Sequence, residues 1–235
     1  MPDPIGHAIS DYFYNSSPAR LWIHNKYGPK EEMPVKIYFR EENEMPELEH
    51  IAMELCKGTI LDIGAGAGSH SILLQERGME VTALEISALN CDVIKQRGVR
   101  KIVTQDIMLY EYGQYDTLLL LMNGIGLAQN LEGLRRFLRH AATLLKPGGS
   151  LIFDSSDIAY LYEDGVPRPD GYYGEICCRY EYKKEKSAWF NWLYVDQQTI
   201  SDIAVAEEWN CTFLFKDAND QYLVEMKKIT AADSE

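Results

Sequence analysis

The sequence predicts an α/β protein built on a doubly wound sheet, mostly parallel, that ends in an antiparallel C-terminal hairpin. Three observations predict it. From Gly58 to Asp154 short apolar runs alternate with amphipathic stretches, the pattern of successive βαβ units. A glycine-rich turn, LDIGAGAGSHS at 61–71, leaves the first of those runs and opens a helix. Near the C-terminus, NCTFLFKDANDQYLVEMKKI reads as two strands around a turn of Asp217, Asn219 and Asp220.

The elements follow in order. Strands are expected at TILDI (59–63), EVTAL (80–84), KIVT (101–104), DTLLLLM (116–122) and SLIFD (150–154). A helix from Ser69 stops at Gly78, and a second, capped by Ser87, stops at Gly98. Residues 131–145 place Leu134, Phe137, Leu138, Ala141 and Leu145 on one helical face before KPGG breaks the helix. Together these make a Rossmann-like sheet. Before it, VKIYFR reads as extended and PELEHIAMELC as a helix with Pro46 in its first turn. After it, a loop rich in Gly, Pro and Tyr leads to EICCRYEYKKEKSAWFNWLYVD, which alternates like a hairpin and sets Tyr180, Tyr182, Phe190, Trp192 and Tyr194 on one face. A short helix is expected near 199–207. This divides the chain into an N-terminal cap, residues 1–57, and a main domain, 58–235, with 157–196 inserted as a loop and hairpin over the substrate site.

Composition narrows the function. The opening MPDPIGHAISDYFYNSSP has no basic or apolar signal region, and LLLLM at 118–122 is too short to span a bilayer, so no membrane partner and a cytoplasmic location are expected. Five cysteines without paired zinc spacings suit a reducing compartment, and five scattered histidines predict no metal site. A net charge of −13 repels a phosphate backbone, so nucleic acid is not the expected partner.

A bare strand–turn–helix junction lets backbone approach a ligand near free helical N–H groups. A dinucleotide fingerprint requires a small third residue at 69 or 71, depending on which glycine starts it, and both are serine. The spacing Gly64, Gly66, Gly68 behind Asp62 instead resembles motif I of the class I S-adenosylmethionine-dependent methyltransferases. Glu85 at the end of the second strand, Asp106 after the third, LLKPGGSLIF, and the antiparallel ending are similar to that family as well. The resemblance covers 58–154 and, more loosely, 199–229.

The resemblance implies a class I methyltransferase fold and S-adenosyl-L-methionine as cofactor, with S-adenosyl-L-homocysteine as product. It implies that Asp62, Gly64, Ala65, Gly66, Glu85, Ile86, Asp106, Ile107, Met122 and Asn123 bind the cofactor. Glu85 would accept the ribose hydroxyls and Asp106 the adenine amino group, with Ile107 as an apolar wall, while Asp62 organises the loop or acts through water. Gly68 serves helix–strand packing. Asn123 either orients a nucleophile or bonds its own backbone, and His70 either lines the donor pocket or is a packed histidine. Asp154, Asp157 and His70 are the candidates for a base, with helix capping the other reading of DSSD at 154–157. Arg40 pairs with the cofactor carboxylate or with a glutamate. Aromatic residues crowd the flanks: between Phe39 and Phe153 the only Tyr or Trp are Tyr110, Tyr112 and Tyr115. Those flanks would form the lid, compatible with a small amine or phenolic acceptor methylated on N or O. The alternatives are an NAD-dependent oxidoreductase and a non-catalytic S-adenosylmethionine-binding module.

Overall fold

A computed structural model of the chain describes residues 2–15, 19–162 and 167–229. Residues 16–18 of the N-terminal segment and 163–166 of the 157–196 stretch lie outside the described residues. The chain opens with α1 (Pro4–Asn15), short strands β1 (Leu21–Asn25) and β2 (Glu31–Met33), and α2 (Glu47–Leu55). Next come β3 (Thr59–Ile63), α3 (Ser69–Glu76), β4 (Glu80–Glu85), α4 (Ala88–Gln96) and β5 (Ile102–Thr104). β6 (Tyr115–Leu120), α5 (Leu131–Leu144) and β7 (Leu145–Ser156) complete the parallel part. β8 (Glu175–Tyr182), β9 (Glu185–Lys186) and β10 (Phe190–Leu193) follow, then α6 (Gln197–Ala206), β11 (Trp209–Lys216) and β12 (Gln221–Lys228).

Seven strands form the main sheet in the order β11-β12-β7-β6-β3-β4-β5. β3 pairs parallel with both β4 and β6, β4 with β5, and β6 with β7. β12 lies antiparallel on β7, and β11 antiparallel on β12, so the last strand inserts between its predecessor and the parallel set. The chain builds outward from β3 in one direction, then restarts on its other side with β6. That reversal leaves a crevice outside the carboxyl ends of β3 and β6, where open α/β sheets take their ligands.

Packing fixes these elements in place. On α5 the fully buried Leu134, Phe137, Leu138 and Ala141 face the sheet, one helical stripe closing over β6 and β7. Leu134, Phe137 and Leu138 each stabilise the fold by about 1.5–3 kcal/mol. Gly68 is the cap residue before α3 with φ +84°, and a Cβ there would crowd Ile94 and Val99 of the next helix and its exit at 3.3–3.5 Å. Ser87 caps α4 by accepting from the Asn90 N–H at 3.1 Å.

A second sheet, β10-β8-β1-β2 with β9 on the edge of β8, joins the N-terminal segment to the stretch after β7. β1 pairs with β8 over five residues, from Leu21↔Tyr182 to Asn25↔Cys178. The register Phe190↔Cys178 and Trp192↔Ile176 puts Tyr180, Tyr182, Phe190 and Trp192 on one face.

Two local expectations are corrected. VKIYFR is not extended: Val35–Phe39 is a 3₁₀ helix whose Ile37 N–H donates to the Pro34 carbonyl at 3.1 Å. Its apolar alternation imitates a strand over five residues, but Val35 and the neighbouring rings bury against α1 and α4 instead of joining a sheet. KPGG does end α5, but it then lies inside β7, in a register irregularity between Tyr115↔Leu145 and Thr117↔Ser150.

Candidate functional site

The carboxyl ends of β3, β4, β5 and β6 carry every residue that the sequence points to as cofactor-binding. β3 is followed by Gly64, whose φ is +74° and whose N–H donates to the Leu84 carbonyl at 2.8 Å. A Cβ at position 64 would meet no atom within 4 Å, so the turn faces open space. Ala65 follows, buried against Ile94 and Val99. Gly66 has φ +60°, and a Cβ there would come within 3.2 Å of the Tyr38 ring. The first turn of this wall is therefore bare toward the crevice, and the second is bare because an aromatic ring covers it.

Glu85 ties the next strand to that turn. Its Oε2 accepts from the Gly66 N–H at 2.8 Å, and its Oε1 from the Ile86 and Ser87 N–H groups at 2.9 Å each. Burial pushes this carboxyl up, against the pull of those three N–H donors and the Asn90 side chain. Ile86 stands 68% exposed beside it. Asp106, exposed, caps a 3₁₀ turn by accepting from the Met108 N–H at 2.9 Å, while Ile107 behind it is buried. The Gln105 N–H donates to the Glu85 carbonyl at 3.1 Å, which fixes the spacing between the second and third strand ends.

At β6 the backbone is strained. Met122 and Asn123 both have left-handed backbone, φ 64° and 56°, a conformation that costs a non-glycine residue of order 1 kcal/mol or more. Asp154 holds them there. Both of its oxygens lie 2.9 Å from the Asn123 N–H, Gln221 Nε2 donates to Oδ2 at 2.7 Å, and Ser156 Oγ donates to Asn123 Oδ1 at 3.0 Å. Asp154 is 0% exposed and its carboxyl is pushed up to about 6 by burial, with only neutral donors pulling it back.

The remaining candidates are also engaged with the chain. Asp62 is buried and accepts from Ser71 Oγ at 2.6 Å, which anchors the first turn of α3 to β3; burial pushes its carboxyl up. His70 Nε2 lies 2.9 Å from Glu49 Oε2, and Glu49 also receives Arg40. Burial opposes the charged imidazole, yet the Glu49 bond with the Asp62 and Glu49 charges raises its pKa overall. Arg40 thus pairs with a glutamate. Asp157 accepts from Tyr173 Oη at 2.7 Å and the Ala159 N–H at 2.9 Å. All three candidates for a base carry structural partners.

The comparisons with known proteins identify the family. A methyltransferase-domain family model matches residues 61–153. A crystal structure of an S-adenosylmethionine-dependent methyltransferase from Bacteroides fragilis, in complex with S-adenosyl-L-homocysteine, superposes with a TM-score of 0.91 at 38% identity, over 97% of this chain and 96% of that one. The chain belongs to the class I S-adenosylmethionine-dependent methyltransferases. Two curated relatives of this methyltransferase match over shorter stretches. They are a cypemycin N-terminal methyltransferase from Streptomyces, 32% identical over 46% of this chain and 45% of that protein, and the putative methyltransferase YqeM of Bacillus subtilis, 28% identical over 47% and 48%. The matched segments span about half the length of those curated relatives.

Two rings that the sequence did not place at the strand ends lie against these loops. Tyr38 lies over Gly66, and its carbonyl accepts from Ser69 Oγ at 2.9 Å. Trp192 is packed so closely on the loop after β6 that a Cβ on Gly126 would overlap its indole nitrogen at 2.0 Å. The aromatic crowding of the flanks was the signal for Trp192; Tyr38 had none, because its element was read as extended. Among the described residues no helix is long and apolar enough to cross a membrane, and no group of three or more His, Cys, Asp or Glu is placed to hold a metal.

Proposed function

We propose that this chain transfers a methyl group from S-adenosyl-L-methionine to an N or O atom of a small-molecule acceptor. The observation that carries the reading is the wall of strand ends: a turn open at Gly64, Glu85 locked to Gly66, and an exposed Asp106 backed by Ile107. These residues fit the cofactor's polar and apolar parts. Glu85 would accept the ribose hydroxyls, Asp106 the adenine amino group, and the exposed Ile86 with Ile107 would flank the base. Asp62 contributes through Ser71, by holding the start of α3 under the turn.

S-adenosylmethionine supplies an already activated methyl group: the acceptor's lone pair forms the new bond to the methyl carbon as the C–S pair leaves with sulfur. The chain's own work is therefore positioning and exclusion of water. Met122 and Asn123 stand at the topological switch point, and Asp154, through the Asn123 N–H, is the positioning residue that keeps them in left-handed backbone. Ser156 orients the Asn123 side chain from the neighbouring strand. The second sheet, with Tyr38 on one side and Trp192 on the other, forms the lid over this crevice.

Glu85→Ala tests the reading. It removes a buried acceptor and releases Gly66, so it should weaken S-adenosylhomocysteine binding by more than about tenfold in a calorimetric titration. Unchanged affinity would remove Glu85 from the site.

A further inference from the structure

Two helix starts meet beside Glu85. Asp3 stands directly before α1 and caps it: its Oδ1 accepts from the Gly6 N–H at 2.9 Å and its carbonyl from the His7 N–H at 3.0 Å. Ser87 caps α4, and the two caps are bonded to each other, with Ser87 Oγ donating to Asp3 Oδ2 at 2.5 Å. α1 comes this close because its third residue is a glycine. A Cβ on Gly6 would overlap Asp3 Oδ2 and lie within 2.6 Å of Ser87 Oγ. The second sheet holds the same joint, since Glu185 Oε1 of β9 accepts from the Asp3 N–H at 2.8 Å and its Oε2 lies 2.6 Å from His7 Nδ1. One turn further along α1, the fully buried Ala8 and Ile9 share a cluster with Val93 of α4 and Tyr182 of β8.

Capping α1 uses one oxygen of Asp3; the other is given to the cap of α4. That second bond bears on Glu85. Glu85 Oε1 takes the Ile86 and Ser87 N–H groups, so the turn that Ser87 closes supplies two of the three backbone donors to this carboxyl. Ser87 is buried, its oxygen accepts from the Asn90 N–H, and its hydroxyl proton goes to Asp3. Without Asp3 that proton loses its acceptor in a site closed to most water, and Ser87 must reorient to satisfy it. Any such reorientation shifts the turn on which Glu85 Oε1 rests.

We infer that Asp3, acting through Ser87, is a positioning residue for Glu85, so that the seating of α1 on α4 sets the carboxyl that takes the cofactor ribose. The assignment rests on the methyl-donor reading and adds to it a residue from outside the main sheet, 84 positions from Ser87. Donor affinity then depends on how the N-terminal segment and β9 are seated.

The test is a double-variant cycle on the full chain, read by calorimetric titration with S-adenosyl-L-homocysteine. Asp3→Ala should weaken binding at least about fivefold, the effect of losing one hydrogen bond to a charged group. In the Glu85→Ala background the same substitution should weaken it less than about twofold, because the group that Asp3 positions is gone. A residue that only caps α1 would give equal losses in both backgrounds. Where Asp3→Ala does not unfold cooperatively, Gly6→Ala replaces it in the same cycle. Alanine favours the isolated helix, yet its Cβ forces the two caps apart, so affinity should still fall at least about threefold in the wild-type background alone. Unchanged affinity in the variant that is read, or an equal loss with and without Glu85, would overturn the inference and leave Asp3 a helix cap, with the donor reading intact. Failure of the wild-type chain to bind S-adenosylhomocysteine would overturn the donor reading, and the positioning role with it.

Discussion

Asp116 is the second residue of β6 and Asp154 stands near the end of β7, in neighbouring parallel strands, and their surroundings differ in kind. Asp116, at the amino end of the sheet, receives Lys146 Nζ at 2.7 Å and both the N–H and the hydroxyl of Thr59 at 2.8 Å. The lysine bond first, then the Thr59 donors, hold its carboxyl well below the usual carboxylate range. Asp154, at the carboxyl end, has neutral donors alone and no contact with water, and burial pushes it up to about 6. Glu85, one strand end away, is raised for the same reason. The acids at the amino end thus stabilise the fold as they stand. Those at the carboxyl end are kept in place at a cost, which is the usual condition of groups retained for a ligand or a reacting loop.

Glu49 is the exception that sharpens the contrast, because it is a buried acid beside the site with two basic partners, Arg40 and His70. Glu49→Ala would strand both, and should cost about 3 kcal/mol or more in denaturant unfolding; Glu49→Gln should cost less. A loss below 1 kcal/mol for the alanine variant would show that the cluster is not coupled.

The next effect is the pH dependence from Asp154. Its folded pKa lies above its ordinary value of 3.8, so its contribution to stability is fully present below about pH 4 and is lost as pH rises through about 6. The loss amounts to roughly 3 kcal/mol. Unfolding measured from pH 4 to 8 should show this limb in the wild-type chain and a flatter one in Asp154→Asn; parallel curves would contradict the burial argument.

Asp116 gives the smallest effect, with the opposite sign. Its folded pKa is depressed, so its contribution is present above the ordinary value of 3.8 and disappears as pH falls. The pair is partly exposed, so Asp116→Asn should cost less than about 1 kcal/mol at pH 7, and less still in high salt. A salt-independent loss would place Asp116 among the buried acids and erase the distinction between the two ends.

What the sequence made legible was local. The Asp62–Gly64–Gly66 spacing, Glu85 and Asp106 each sit within a few residues of a strand end, so apolar runs and turn chemistry suffice to place them. The antiparallel β11–β12 pair was legible for the same reason. Partnerships across the chain were not. Nothing near His70 announces Glu49, 21 residues earlier, and nothing near Asn123 announces Asp154 as the anchor of its backbone. Val35–Phe39 misled because five residues satisfy a period of two as easily as a 3₁₀ turn, and the burial of Val35 in the cap decided between them. The β1–β8 pairing, which brings the N-terminal segment into one sheet with residues from beyond β7, left no trace in either segment alone.

The most direct test of the account is a calorimetric titration of the purified chain with S-adenosyl-L-homocysteine and, separately, with NAD. The arrangement of Gly64, Gly66, Glu85 and Asp106 predicts saturable micromolar binding of the first at one site per chain and no binding of the second. Binding of NAD without the adenosyl ligand would contradict it, and would return the glycine turn to a dinucleotide.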